Sequence, residues 1–158
     1  IKQKSLLINK LVELESALIK PISLLKNNMF PFYDTSHSDK VFNSISLINL
    51  KSIEDLEKKI NKKVEFQRFR GNFYIEGVEP WEERNWIGKT ININHTIFKV
   101  EKNIPRCVAI NLKPGTDDNG LNLLQSLKKN YNHFDMGIYL RSLNDGEVKV
   151  GDIIEINQ

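Results

Sequence analysis

A single cysteine, Cys107, stands in this 158-residue chain, in the stretch "IPRC" directly after Arg106. A thiolate attacks electrophiles and binds soft metals, and a fixed positive charge beside it favours that ionised form. A lone cysteine is equally a small apolar core filler. Both readings stay open, because neighbours on a strand point to opposite faces and Arg106 need not reach the sulfur. A second constellation lies in "RFRGNFYIEGVEPWEERNW", residues 68–86. Read as a strand, it places Arg68 and Arg70 on one face, where two guanidiniums need an anion or carboxylates between them. Glu82 and Glu83 would supply the carboxylates. A phosphate would instead be held by arginine's planar fork, with Asn72 as an amide donor and Gly71 letting backbone approach the ligand. Trp81 and Trp86 read as core rather than as platforms for a cofactor.

The three histidines, His37, His95 and His133, are scattered, and no pair has the spacing of a zinc-binding helix or knuckle. His133 and Asp135 have the types of a general base and its orienting partner, but no serine lies close in sequence. Neither GxGxxG nor GxxxxGK[ST] occurs, so no glycine-rich phosphate loop is legible.

The elements that must position these residues follow from periodicity. Leu7, Leu11, Leu14 and Leu18 recur at three and four, predicting a helix over 4–19 that Pro21 ends. Residues 22–26 read as a short strand and 27–43 as a loop. Residues 45–50 read as a strand, and Ser52 followed by Asp55 gives a capping pattern for a second helix carrying Ile53, Leu56 and Ile60. From residue 64 the period becomes two, with strands predicted near 64–69, 72–76, 89–93, 96–101 and 106–112. Asn94-His95 fits a tight hairpin, and Pro114-Gly115 opens a polar loop. A third helix is expected over 121–131, then strands over 136–142 and 153–157. The class is α+β, predominantly β.

Composition bounds the rest. One domain with a real core is expected at this length. One cysteine allows no internal disulfide, so a reduced, cytoplasmic setting is expected. No apolar run approaches the roughly 20 residues of a membrane span. A formal charge of +3 permits an anionic partner but is not the basic stripe of a nucleic-acid binder. Neither nucleic acid nor membrane is an expected partner, and the oligomeric state is not legible.

Taken in order, "RFRGNFYIEGVEPWEERNWIGKTI", "FKVEKNIPRC" and "MGIYLRSLNDGEVKVGDIIEI" resemble the MOSC family, named after the C-terminal domain of molybdenum cofactor sulfurases. The resemblance runs from about residue 44 to the end. It implies a strand-rich, barrel-like fold with about three covering helices, a MOSC domain over 44–158, and a 1–43 segment that ends an upstream region. The chain starts at Ile1 without methionine and is expected to be the C-terminal part of a longer protein. Family members that hold molybdenum cofactor bond the metal through the cysteine of an Arg-Cys pair, here Arg106-Cys107. The family's Arg-x-Asn pattern, matched by Arg70 and Asn72, would hold the pterin phosphate, with Arg106 and Ser44 as further contacts. Glu82, Glu83, Trp81 and Trp86 match positions that would shape the pocket wall. Larger members have an upstream β-domain that also contacts the phosphate, so weak cofactor retention by these residues alone is expected. The activity implied is reduction of a small N-hydroxylated substrate with electrons from a partner protein. The alternatives are a persulfide carrier acting through Cys107 and a non-catalytic cofactor-binding module. Pyridoxal phosphate is not expected.

Overall fold

In the computed structural model, the sequence from Ile45 onward builds one six-stranded sheet with two α-helices among the described residues, which are 45–157 and Asn9. The strands are β1 (Ile45–Asn49), β2 (Phe73–Ile75), β3 (Thr90–Ile93), β4 (Thr96–Pro105), β5 (Asp135–Ser142) and β6 (Ile154–Asn157). The helices are α1 (Leu50–Ile60) and α2 (Leu123–Tyr131). Of the helix read over 4–19 only Asn9 is described, and it is helical; the rest of that helix, the strand over 22–26 and Ser44 lie outside the described residues.

The strand order is β2-β1-β5-β4-β3-β6, antiparallel throughout except for the parallel pair β1–β2. Among the described residues β2 and β6 are the edge strands, and the sheet is a half-barrel, in keeping with the strand-rich, barrel-like fold that the resemblance implies, with two covering helices in place of about three. Alternation along β1 sends Leu47 and Ile48 to opposite faces, and both faces are covered. Ile48 joins Leu56, Phe69, Ile104, Leu123, Leu127 and Met136 under the helices. Leu47 joins Trp86, Ile91, Phe98, Val100, Ile138 and Leu140 on the other side. Burying each such side chain contributes about 1.5–3 kcal/mol.

Two register shifts interrupt the β4–β5 pairing, between Val100 and Lys102 and between Asn103 and Pro105, and the second lets β5 serve both cores. Asn103 pairs with Ile138 and Pro105 with Asp135, so β5 carries one residue more than β4 between those pairs. The extra residue is accommodated at Gly137, with φ +80, where a Cβ would lie 2.4 Å from the Leu47 carbonyl oxygen. Because of it, Met136 and Ile138 enter different cores despite their even spacing.

Two of the expected strands are 3-10 turns. Val64 and Phe66, and Val108 and Ile110, alternate as in a strand, but Phe66–Phe69 and Val108–Asn111 are short connections packed over the helical side. Helix α1 starts earlier than the Ser52 pattern predicts. Asn49 is its cap, with Oδ1 accepting from the Lys51 amide at 2.9 Å. Ser52 is instead fully buried, donating to Glu83 at 2.9 Å and accepting from the Trp81 amide at 2.8 Å.

Candidate functional site

β4 ends at Pro105, and Cys107 follows in extended conformation as the residue that opens the 108–111 turn. Its side chain is exposed and free, which removes the reading of a core filler. Arg106, one residue earlier, turns inward. Its Nη1 donates to the Phe69 carbonyl at 2.8 Å, its Nε to the Met136 carbonyl at 2.8 Å, and its Nη2 to that same carbonyl. Its own amide donates to the Phe134 carbonyl at 2.9 Å. Burial pushes this guanidinium down to about 10, which leaves it charged at neutral pH. Three of the five N–H donors of the fork are thus committed to backbone. Arg106 is the clasp that holds the 66–69 turn, β5 and the cysteine segment together.

The residues that this clasp presents come next along the chain. Arg70 has φ 49 and lies in the left-handed region, where a side chain with a Cβ is strained. Its guanidinium is exposed and meets no carboxylate among the described residues. Gly71 passes so close to β1 that a Cβ would lie 2.6 Å from Ile48 Cγ1 and 3.0 Å from the Tyr74 ring. The glycine therefore serves packing against the protein itself, not the ligand approach expected from sequence. Asn72 is tied to β1: its Oδ1 accepts from Ser46 N at 2.9 Å and Ser46 Oγ at 2.8 Å, and its own amide donates back to Ser46 Oγ at 3.0 Å. That leaves the Asn72 side-chain NH2 group without a protein acceptor among the described residues. Ser46, whose backbone and hydroxyl fix Asn72, is the residue that sequence reasoning missed. Its nearest sequence candidate was Ser44, two residues upstream.

Arg68 does not share a face with Arg70. It is buried, with Nε on Glu65 at 2.7 Å and Nη1 on the Asn111 carbonyl at 2.5 Å. Glu65, which also pairs with Lys113 at 2.9 Å, is held at about 2 by its bond to Arg68 and then by that to Lys113. Glu82 and Glu83 therefore do not neutralise the arginine pair. Glu83 is buried, and burial pushes its carboxyl above the ordinary range, although Asn49 Nδ2 and Ser52 donate to it. Trp86 is core, whereas Trp81 donates its indole N–H to Asp55 at 2.9 Å and packs on Tyr131.

His133 and Asp135 do not form a base and orienting carboxylate. The Asp135 carboxylate pairs with Arg84 at 3.2 Å, and it is the Asp135 backbone amide that donates to His133 Nδ1. Burial first, then the Arg84 charge, lowers the His133 pKa.

The sequence-derived residues thus divide into three groups. Arg70, Asn72 and Cys107 flank the Arg106 clasp, with an unpaired cation, an amide donor and an exposed thiol facing outward. Arg106 itself is a positioning residue with donors to spare. Arg68, Glu83 and Trp86 belong to the interior. Among the described residues no group of three His, Cys, Asp or Glu could cage a metal ion. A metal held here would take one protein thiolate and bring its remaining ligands in an organic cofactor, whose anionic part Arg70 suits. The donor set fits such a group.

The fold is that of a known class. The family described as "MOSC domain" matches residues 34–155, and the chain belongs to it. MOSC domains are associated with molybdenum cofactor. Among curated proteins, mitochondrial amidoxime reducing component 2 of Rattus norvegicus is 32% identical over 84 residues, covering 53% of this chain and 24% of the rat protein. The chain therefore spans about a quarter of that relative. Among solved structures, YiiM from Geobacillus stearothermophilus matches with a TM-score of 0.56 at 15% identity, covering 72% of this chain and 54% of that one. At that identity the likeness speaks for the fold.

Proposed function

We propose that this chain is the cofactor-binding part of a molybdenum-dependent oxidoreductase, reducing a small N-hydroxylated substrate with electrons from a partner protein. Cys107 is its metal ligand, and Arg70 and Asn72 are the contacts to the anionic end of the cofactor. The observation that carries the reading is the exposed Cys107 thiol, fixed by the Arg106 clasp to the turn that presents Arg70, which has no ion-pair partner among the described residues. The partial match to a protein named as an amidoxime reducing component supports the substrate class. When bound, the cofactor supplies the two-electron redox chemistry that no side chain here provides. The protein's share is to orient it, to offset its negative charge with Arg70, and to present a soft sulfur donor. Arg106 and Ser44 are proposed as further cofactor contacts.

The test is metal content of the full-length protein, wild type against Cys107→Ser. The expected result is molybdenum near one per chain in the wild type, lost from the variant together with reduction of a hydroxylamine. Retention of both by the variant overturns the ligand role. The same exposed thiol supports a second reading, a persulfide carrier. Sulfane sulfur on Cys107 in protein that binds no molybdenum would favour it.

A further inference from the structure

We propose that the cleft between α1 and α2 is a docking surface for an acidic segment of a partner protein. The cleft holds about 470 Å³ and is walled by the end of α1 and the length of α2, with Lys59, Lys62 and Lys129 facing it. Among the described residues no carboxylate lines the cleft, and none forms an ion pair with Lys59, Lys62 or Lys129. Of the carboxylates on α1, Glu54 pairs with Lys51, Glu57 with Lys63, and Asp55 accepts from Trp81 and Tyr131. Residues 119–134 contain no carboxylate, and Asp118, just before them, accepts from the Gly120 amide at 2.8 Å and lies 3.9 Å from the Arg68 guanidinium. Lysines in the last turn of a helix offset its dipole, which accounts for Lys59 and Lys129 individually. It does not account for their meeting Lys62 in one concavity.

The chemistry of the lining selects the occupant. The polar groups of α2 are spent on the helix itself: Ser126 Oγ donates to the Asn122 carbonyl, Asn130 Nδ2 to the Ser126 carbonyl, and Asn122 Nδ2 to Gln125 Oε1. What faces outward is charge with few directed donors, which suits carboxylates on flexible side chains rather than one small ligand of fixed shape. No arginine and no aromatic ring lines the cleft, so it lacks the phosphate forks and stacking platforms of a nucleic-acid groove. The cleft also adjoins the site. The Leu124 amide of α2 donates to Asn111 Oδ1, and Asn111 ends the turn that starts directly after Cys107. On that connection Val108 is 68% and Leu112 42% exposed, apolar surface of the kind that interface cores bury. That the docked protein serves Cys107 rests on the function proposed above; the docking itself does not.

The experiment is binding of a fluorescein-labelled decaglutamate peptide to the full chain, read by anisotropy and by amide chemical-shift mapping. Expected are perturbations at residues 59–62 and 121–130, and affinity that falls steeply as salt rises past about 0.1 M. The triple variant Lys59→Glu/Lys62→Glu/Lys129→Glu should weaken binding about tenfold or more, and the milder glutamine triple should weaken it less. An equal charge change at Lys89, Lys99 and Lys149 should leave it within about twofold. Equal losses in both triple-glutamate variants, or perturbations elsewhere on the chain, overturn the proposal. So does tighter binding at these lysines of pyrophosphate, a short DNA duplex or phosphatidylserine vesicles.

Discussion

Arg70 carries its charge on a backbone that resists it. The left-handed conformation costs an L-residue about 1–2 kcal/mol, and glycine adopts it without that strain. Arg70→Gly is therefore expected to leave stability unchanged or raise it by up to about 1 kcal/mol in urea unfolding, while lowering affinity for a phosphate-bearing cofactor. A drop in both would mean that the guanidinium holds the protein rather than a ligand. Ser52 behaves in the opposite way. It joins the Trp81 amide to a buried Glu83, so Ser52→Ala strands two polar groups and should cost about 1–3 kcal/mol in the same assay. A cost of only a few tenths would assign the Glu83 bonds to Asn49 alone.

At the scale of elements, the β5 bulge carries the sharpest expectation. Gly137→Ala puts a Cβ against the Leu47 carbonyl in a backbone region that alanine disfavours, and should lower stability by about 2–4 kcal/mol by the urea midpoint. A neutral result would show that β1 and β5 slide apart freely. The elements also show what was legible in sequence. The Asn94-His95 hairpin was readable, since Ile93 pairs with Thr96 across it and Asn94 takes φ 53. Helix α2 and strands β3 and β5 also fall within two residues of their predicted bounds, because their apolar periods are faced by a core on the expected side. The 66–69 and 108–111 segments misled because Val64 and Phe66, or Val108 and Ile110, have strand spacing, yet tertiary contacts with the helices decide their backbone. The cap of α1 misled because Ser52 and Asp55 make a good local pattern whose groups are claimed by Trp81 and Glu83, about thirty residues away. For the same reason the chemistry of Cys107 and Arg70 was visible as residue types, whereas the burial of Arg68 and the role of Ser46 were not. Those depend on partners that only the fold brings near.

For the molecule as a whole, acid should act through the Glu65–Arg68–Lys113 cluster. Glu65 titrates near 2 in the fold against 4.5 ordinarily, so the unfolded chain binds its proton first as pH falls. Its contribution is complete above about pH 4.5 and is lost on descending through about 2. Urea midpoints between pH 2 and 5 should therefore converge for wild type and Glu65→Gln as the pH drops; a constant gap would show that the ion pair is not the cause. The Arg106 clasp has a different consequence for the whole chain. Phe69, Arg106 and Met136 are brought together across separations of 37 and 30 residues, so no excised peptide can reproduce the arrangement. Closing loops of that length comes late in assembly. A chain caught half-folded would display the thiol without its neighbours, and a metal-bearing ligand offered to it would meet only a reactive sulfur.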